Sequence, residues 1–100
     1  MPKPLYMEAL EGGDGELFKR VIELQEFTGR DGALPAKTKT LMMMFGDALL
    51  GRAEGVKALA ERARGQGATE DEIAETVRVA FIFGGLAGLV PATHAYKKQG

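Results

Sequence analysis

Three side chains in this chain of 100 residues have the types and placement to move a proton: Asp47, Glu54 and His94. Asp47 interrupts an apolar stretch, so it either pairs locally with Arg52 on a solvated side or, if buried, needs hydrogen bonds that would alter its acidity. Glu54 follows Arg52 near the start of a helical pattern, where an acid is ordinary on electrostatic grounds and a base is conceivable. His94 is the single histidine, close to the end of the chain, where surface or interface placement competes with a chemical role. Acid–base work on a small organic acid is the chemistry these three could share, with Arg52 as a cation to hold a carboxylate.

Other chemistries are closed or poorly supported. There is no cysteine, hence no thiolate nucleophile, disulfide or thiolate metal site. One histidine without an H-E-x-x-H pattern makes a preformed zinc site a poor expectation, and no cofactor is expected. Gly84, Gly85 and Gly88 do not form a phosphate loop, because no strand precedes them and no lysine or hydroxyl follows at the required spacing. Thirteen basic residues against 14 acidic ones leave a net charge of -1, which argues against a nucleic-acid groove. Residues 1–16 lack the apolar segment of a secretory signal, and the apolar run at 77–92 contains Arg78, three glycines and Pro91. The expectation is a soluble cytoplasmic protein with no membrane partner.

Helices must position these groups. Residues 1–13 read as a lead-in with room for a short helical turn, and residues 14–100 as a single helical domain. Asp14 caps a helix whose apolar face carries Leu17, Phe18, Val21, Ile22, Leu24 and Phe27. Leu34-Pro35 starts a second helix over 36–50, apolar almost all round between Leu41 and Phe45, which therefore wants partners on several sides. Met42, Met43 and Met44 suit core or interface and spread around the helix instead of converging on a metal. In its first turn, Lys37 and Lys39 oppose the helix dipole, which is explained by solvation or by a nearby anion.

The third helix, about 52–64, places Val56, Leu59, Ala60 and Ala63 on one stripe, with Lys57, Glu61, Arg62 and Arg64 opposite and Lys57–Glu61 spaced as an i,i+4 pair. Thr69 and Glu72 then form a capping box that opens a fourth helix running through Ile73, Val77, Ala80 and Phe81 to Gly84-Gly85. A last helical segment, 86–96, is interrupted or restarted at Pro91.

This order, with R-A-E-G at 52–55, the link Gly67-Ala68-Thr69-Glu70-Asp71-Glu72-Ile73 and an ending in F-I-F-G-G-L, resembles the carboxymuconolactone decarboxylase-like family. That family also includes the alkylhydroperoxidase D-type proteins, and the resemblance covers about residues 34–90. It implies an all-α domain of the alkylhydroperoxidase D-like type whose subunits assemble through their long central helices into trimers, hexamers or related rings. Thiol-active members carry a C-x-x-C-x-x-H motif whose positions fall here on Ala53, Val56 and Leu59, and an acidic partner that falls on Thr40, with one extra residue between Thr40 and Ala53. All four relay groups are replaced, so cysteine-dependent peroxidase chemistry is not expected.

Three readings follow. One is a divergent, oligomeric binding or structural protein. A second is a cysteine-free acid–base enzyme, decarboxylase-like, acting on a small carboxylic acid or lactone through Asp47, Glu54 or His94. The third is a helical protein-interaction module, which would keep an exposed apolar patch after self-assembly.

Overall fold

The computed structural model describes residues 4–97 and is helical throughout its regular elements. The chain divides between Arg30 and Asp31 into two compact units. The first holds α1 (Leu5–Gly13) and α2 (Gly15–Gly29), packed against each other. The stretch expected to hold a short turn is thus a nine-residue helix, started at Pro4, where proline's fixed φ suits a helix beginning. Asp14 caps α2 as expected, its Oδ1 accepting from the Leu17 N–H at 3.0 Å. No residue of α2 is fully buried, and Leu17, Leu24 and Phe27 stand exposed.

The second unit holds α3 (Ala36–Leu49), α4 (Ala53–Gly65), α5 (Glu70–Ala92) and a closing 3-10 turn, Thr93–Ala95. Its core draws Met44 and Ala48 from α3, Val56, Ala60 and Ala63 from α4, and Ile73, Val77 and Ala80 from α5. Alanines at the α4 positions let neighbouring backbones come close, while Ile73, Val56 and Met44 supply the volume. Full burial of a side chain of that size contributes about 1.5–3 kcal/mol.

α3 and α5 run in the same direction. Lys37 Nζ lies 3.0 Å from Glu72 Oε2 at their starts, the rings of Phe45 and Phe83 meet edge to face with centroids 6.0 Å apart, and Leu49 reaches Gly84 and Gly88 further along. The anion beside Lys37 is therefore Glu72 of α5.

The capping box at the start of α5 is complete. Thr69 Oγ1 accepts from the Glu72 N–H at 3.0 Å and Glu72 Oε1 accepts from the Thr69 N–H at 2.8 Å. The expected stop at Gly84-Gly85 is a kink between two helical stretches: Gly85 has φ +62°, the left-handed region, and helix resumes in a new direction beyond it. The break brings Gly88 so close to the Ala80 carbonyl oxygen that a Cβ there would collide with it.

Several large apolar side chains of this unit are exposed among the described residues. Ile82 is 81% exposed, Phe83 77%, Leu86 69% and Val90 64%, and Met42, Met43 and Val79 are also exposed. Of the three methionines only Met44 enters the core. Within Glu70–Ala95 an 18-residue window of mean hydropathy 1.7 meets the length and composition of a membrane span, although Ile73, Val77, Ala80 and Ala92 are core residues here.

Candidate functional site

The start of α4 is where the sequence concentrates its candidate chemistry. Arg52, just ahead of Ala53, makes no side-chain cap, but its N–H donates to the Asp47 carbonyl at 2.8 Å and ties the helix start back to α3. The Asp47 side chain follows the same route: its Oδ1 lies 3.8 Å from Arg52 Nη1, and its carboxylate fills the space over Gly55 that a Cβ would occupy. A carboxylate against the first turn of a helix faces the positive end of the helix dipole. Asp47, with only 20% of its side chain exposed, therefore has a structural occupation, the local pair with Arg52 among its parts.

The four positions on which the resemblance places the relay are buried or half-buried. Val56 has no exposed surface and belongs to the core, Leu59 packs against that core half-buried, and Ala53 is half-buried at the helix start. Thr40 is 1% exposed, its hydroxyl donating to the Ala36 carbonyl at 3.1 Å. That bond within one turn satisfies the hydroxyl and leaves nothing poised for proton transfer.

Glu54 and His94 come together on the outer side of α4. An open groove of about 710 Å³ is lined on one wall by Glu54, Lys57 and Glu61 and on the other by Thr93, His94, Tyr96 and Lys97. The first three recur at i, i+3 and i+7, so one face of α4 presents them together. Asp47 is not among the lining residues. The structure thus joins two of the three sequence candidates and assigns the third to the joint between α3 and α4.

Arg64 fastens the two walls. Its guanidinium donates to both carboxylate oxygens of Glu70 at 2.7 and 2.8 Å, to Glu61 Oε1 at 2.8 Å and to the Ala95 carbonyl at 2.7 Å. This planar fork suits arginine, which can serve several oxygens at once. The expected Lys57–Glu61 pair gives way to Glu61–Arg64, since Arg64 reaches Glu61 while held by Glu70 and Ala95. Hydrogen bonds from Arg64 hold the Glu70 carboxyl below its ordinary value, and the backbone N–H of Thr69 followed by the Lys37 ammonium does the same for Glu72.

Sequence reasoning saw Arg64 only as a solvated residue of a polar face, because its decisive acceptor, the Ala95 carbonyl, lies 31 positions away. The pairing of Glu54 with Lys57 on one face was readable from spacing alone. Among the described residues no group of three or more His, Cys, Asp or Glu could hold a metal ion. A second concavity, about 540 Å³, lies between α3 and α5 and is lined by Leu41, Met42, Phe45 and Val79 with Glu72 and Glu75 at its edge.

Against known families, the profile described as "Carboxymuconolactone decarboxylase family" matches residues 15–98. The chain belongs to the carboxymuconolactone decarboxylase family. No curated protein and no solved structure matches it. The family assignment covers α2 to the closing turn and agrees with the all-α architecture. As a cysteine-free family member, the chain has no residue that could carry thiol chemistry at Ala53 or Val56.

Proposed function

We propose that this carboxymuconolactone decarboxylase family member is a divergent binding or structural protein that works as a homo-oligomer, a trimer or a hexamer. The observation that carries the reading is the exposure of large apolar side chains, Ile82, Phe83, Leu86 and Val90 of α5 and Met42 and Met43 of α3. Exposed apolar patches of this kind are uncommon on monomers and mark association surfaces. Packing at Thr40 and Val56 supports the other half of the reading, since the relay positions serve the core.

Sedimentation velocity at micromolar concentration tests the proposal. A trimer or hexamer is expected, and a monodisperse monomer overturns it. Binding to lipid vesicles by a monomer would instead assign these exposed apolar residues to a bilayer surface.

A second reading is favoured by one observation, the shared groove of Glu54 and His94. There the two could act as base and acid on a small carboxylic acid or lactone, without Asp47. Turnover of such a substrate that disappears in both Glu54→Gln and His94→Gln would establish it, and turnover untouched by either change would dismiss it.

A further inference from the structure

The charges around the α4 groove alternate in sign, and only some of them are already satisfied. Glu61 is taken by Arg64, and Lys97 lies 3.9 Å from Glu70 Oε2. Glu54 and Lys57, one turn apart on the same wall, make no ion pair or side-chain hydrogen bond within the described residues, and His94 and Tyr96 stand opposite them in the same condition. A simple anion drawn to Lys57 would also face Glu54, and a simple cation drawn to Glu54 would face Lys57. At Cβ separations of about 5–6 Å along a helix face, both penalties act at short range. A ligand carrying both charges close together turns each penalty into an attraction.

We propose that this groove binds a small zwitterion of the α-amino-acid type, with Lys57 receiving its carboxylate, Glu54 its ammonium, and the Tyr96 ring and His94 imidazole lying along its side chain. The volume of about 710 Å³ lies within the range of small-molecule sites, ~300–1,000 Å³. Arg64 is the positioning residue: by holding Glu61 of one wall and the Ala95 carbonyl of the other, it sets the groove's width. Because all four ligand-facing groups are solvent-exposed, screening weakens each contact, and the affinity belongs in the millimolar range, about 4 kcal/mol, and falls as salt is added. The inference rests on the binding-protein reading and requires no catalytic step.

The test is an amide NMR titration of the full chain at low ionic strength with three matched probes: L-phenylalanine, 3-phenylpropanoate, which lacks the ammonium, and 2-phenylethylammonium, which lacks the carboxylate. L-Phenylalanine is expected to shift the amides around Glu54, Lys57 and His94. Each half-charged probe should bind at least about tenfold more weakly, as should L-phenylalanine to Lys57→Gln and to Glu54→Gln. Both substitutions are at exposed positions without ion pairs or side-chain hydrogen bonds among the described residues, so folding carries through. Absence of shifts, equal response to a half-charged probe, or undiminished binding by both variants overturns the proposal. Sedimentation in the same buffer reports self-association separately, so a failed titration leaves the oligomer reading standing.

Discussion

The carboxylate of Asp47 occupies the space that a side chain on Gly55 would need, so the two residues are joined by shape as well as by sequence neighbourhood. Alanine for glycine within a helix ordinarily gains about 1 kcal/mol in propensity. Here that gain is opposed by displacement of a short side chain with little room to swing, because its Cγ as well as its Oδ2 stands in the way. Gly55→Ala is therefore expected to be neutral or destabilising in the native background and stabilising by about 1 kcal/mol in Asp47→Ala. Urea denaturation of the four proteins measures the coupling, and additivity within about 0.3 kcal/mol would remove the proposed relationship.

Acid stability follows from the carboxyl at the Arg64 junction. The folded state holds Glu70 below its ordinary value of 4.5, chiefly through the hydrogen bonds from Arg64. A carboxyl depressed on folding contributes stability in full above its unfolded value, and the contribution is lost as pH falls through the lower folded value. The melting temperature should therefore decline as pH drops below about 4.5. In Arg64→Met the decline should become shallower without vanishing, because Glu72 is depressed independently by the Thr69 N–H and Lys37. Solvent exposure of Glu70 keeps the effect modest. An acid limb of unchanged steepness in Arg64→Met would show that the junction is not coupled to folding.

Much of the helical architecture was legible in the chain because its signals are local. Thr69 and Glu72 close their capping box within one turn, Asp14 caps α2, and the period of Val56, Ala60 and Ala63 selects the face that α4 buries. α1 escaped because its start rests on Pro4 alone, without a capping side chain. The end of α5 was half-read: the glycine pair does force a non-helical residue, at Gly85, but nothing local says that helix resumes beyond it. The site was less legible. Glu54 and His94 were singled out by residue type, but their meeting depends on how the closing turn packs against α4, a tertiary fact secured by Arg64. Asp47 was read as solvated, locally paired with Arg52 or chemically active; the structure has the Arg52 pair and adds a fit over Gly55 that spacing cannot express.

The two positions on which the resemblance places the family's cysteines should differ in accessibility. Ala53 is half-buried at the start of α4, whereas Val56 has no exposed surface. A thiolate at the first would also face a helix N-terminus, which promotes its formation. Ala53→Cys should react with a soluble disulfide reagent in the native protein, and Val56→Cys should react at least about 100-fold more slowly, waiting on local opening. Comparable rates in native buffer would contradict the assignment of Val56 to the core.

Carboxylates placed on the two sides of α3 and α5 should separate folding from association. Leu41 packs half-buried against the core and lines the α3–α5 concavity, so Leu41→Asp puts an unpartnered charge at an apolar junction and should lower stability by several kcal/mol, on the order of 3. Ile82, by contrast, is 81% exposed within one chain, so Ile82→Asp places its charge in water when the protein is monomeric. The expected outcome for Ile82→Asp is a folded monomer with helical circular dichroism close to the parent, and for Leu41→Asp a loss of both the fold and the assembly. Sedimentation and thermal melting of the pair distinguish these effects. If Ile82→Asp sediments as the parent protein does, the contact between copies lies elsewhere than at Ile82.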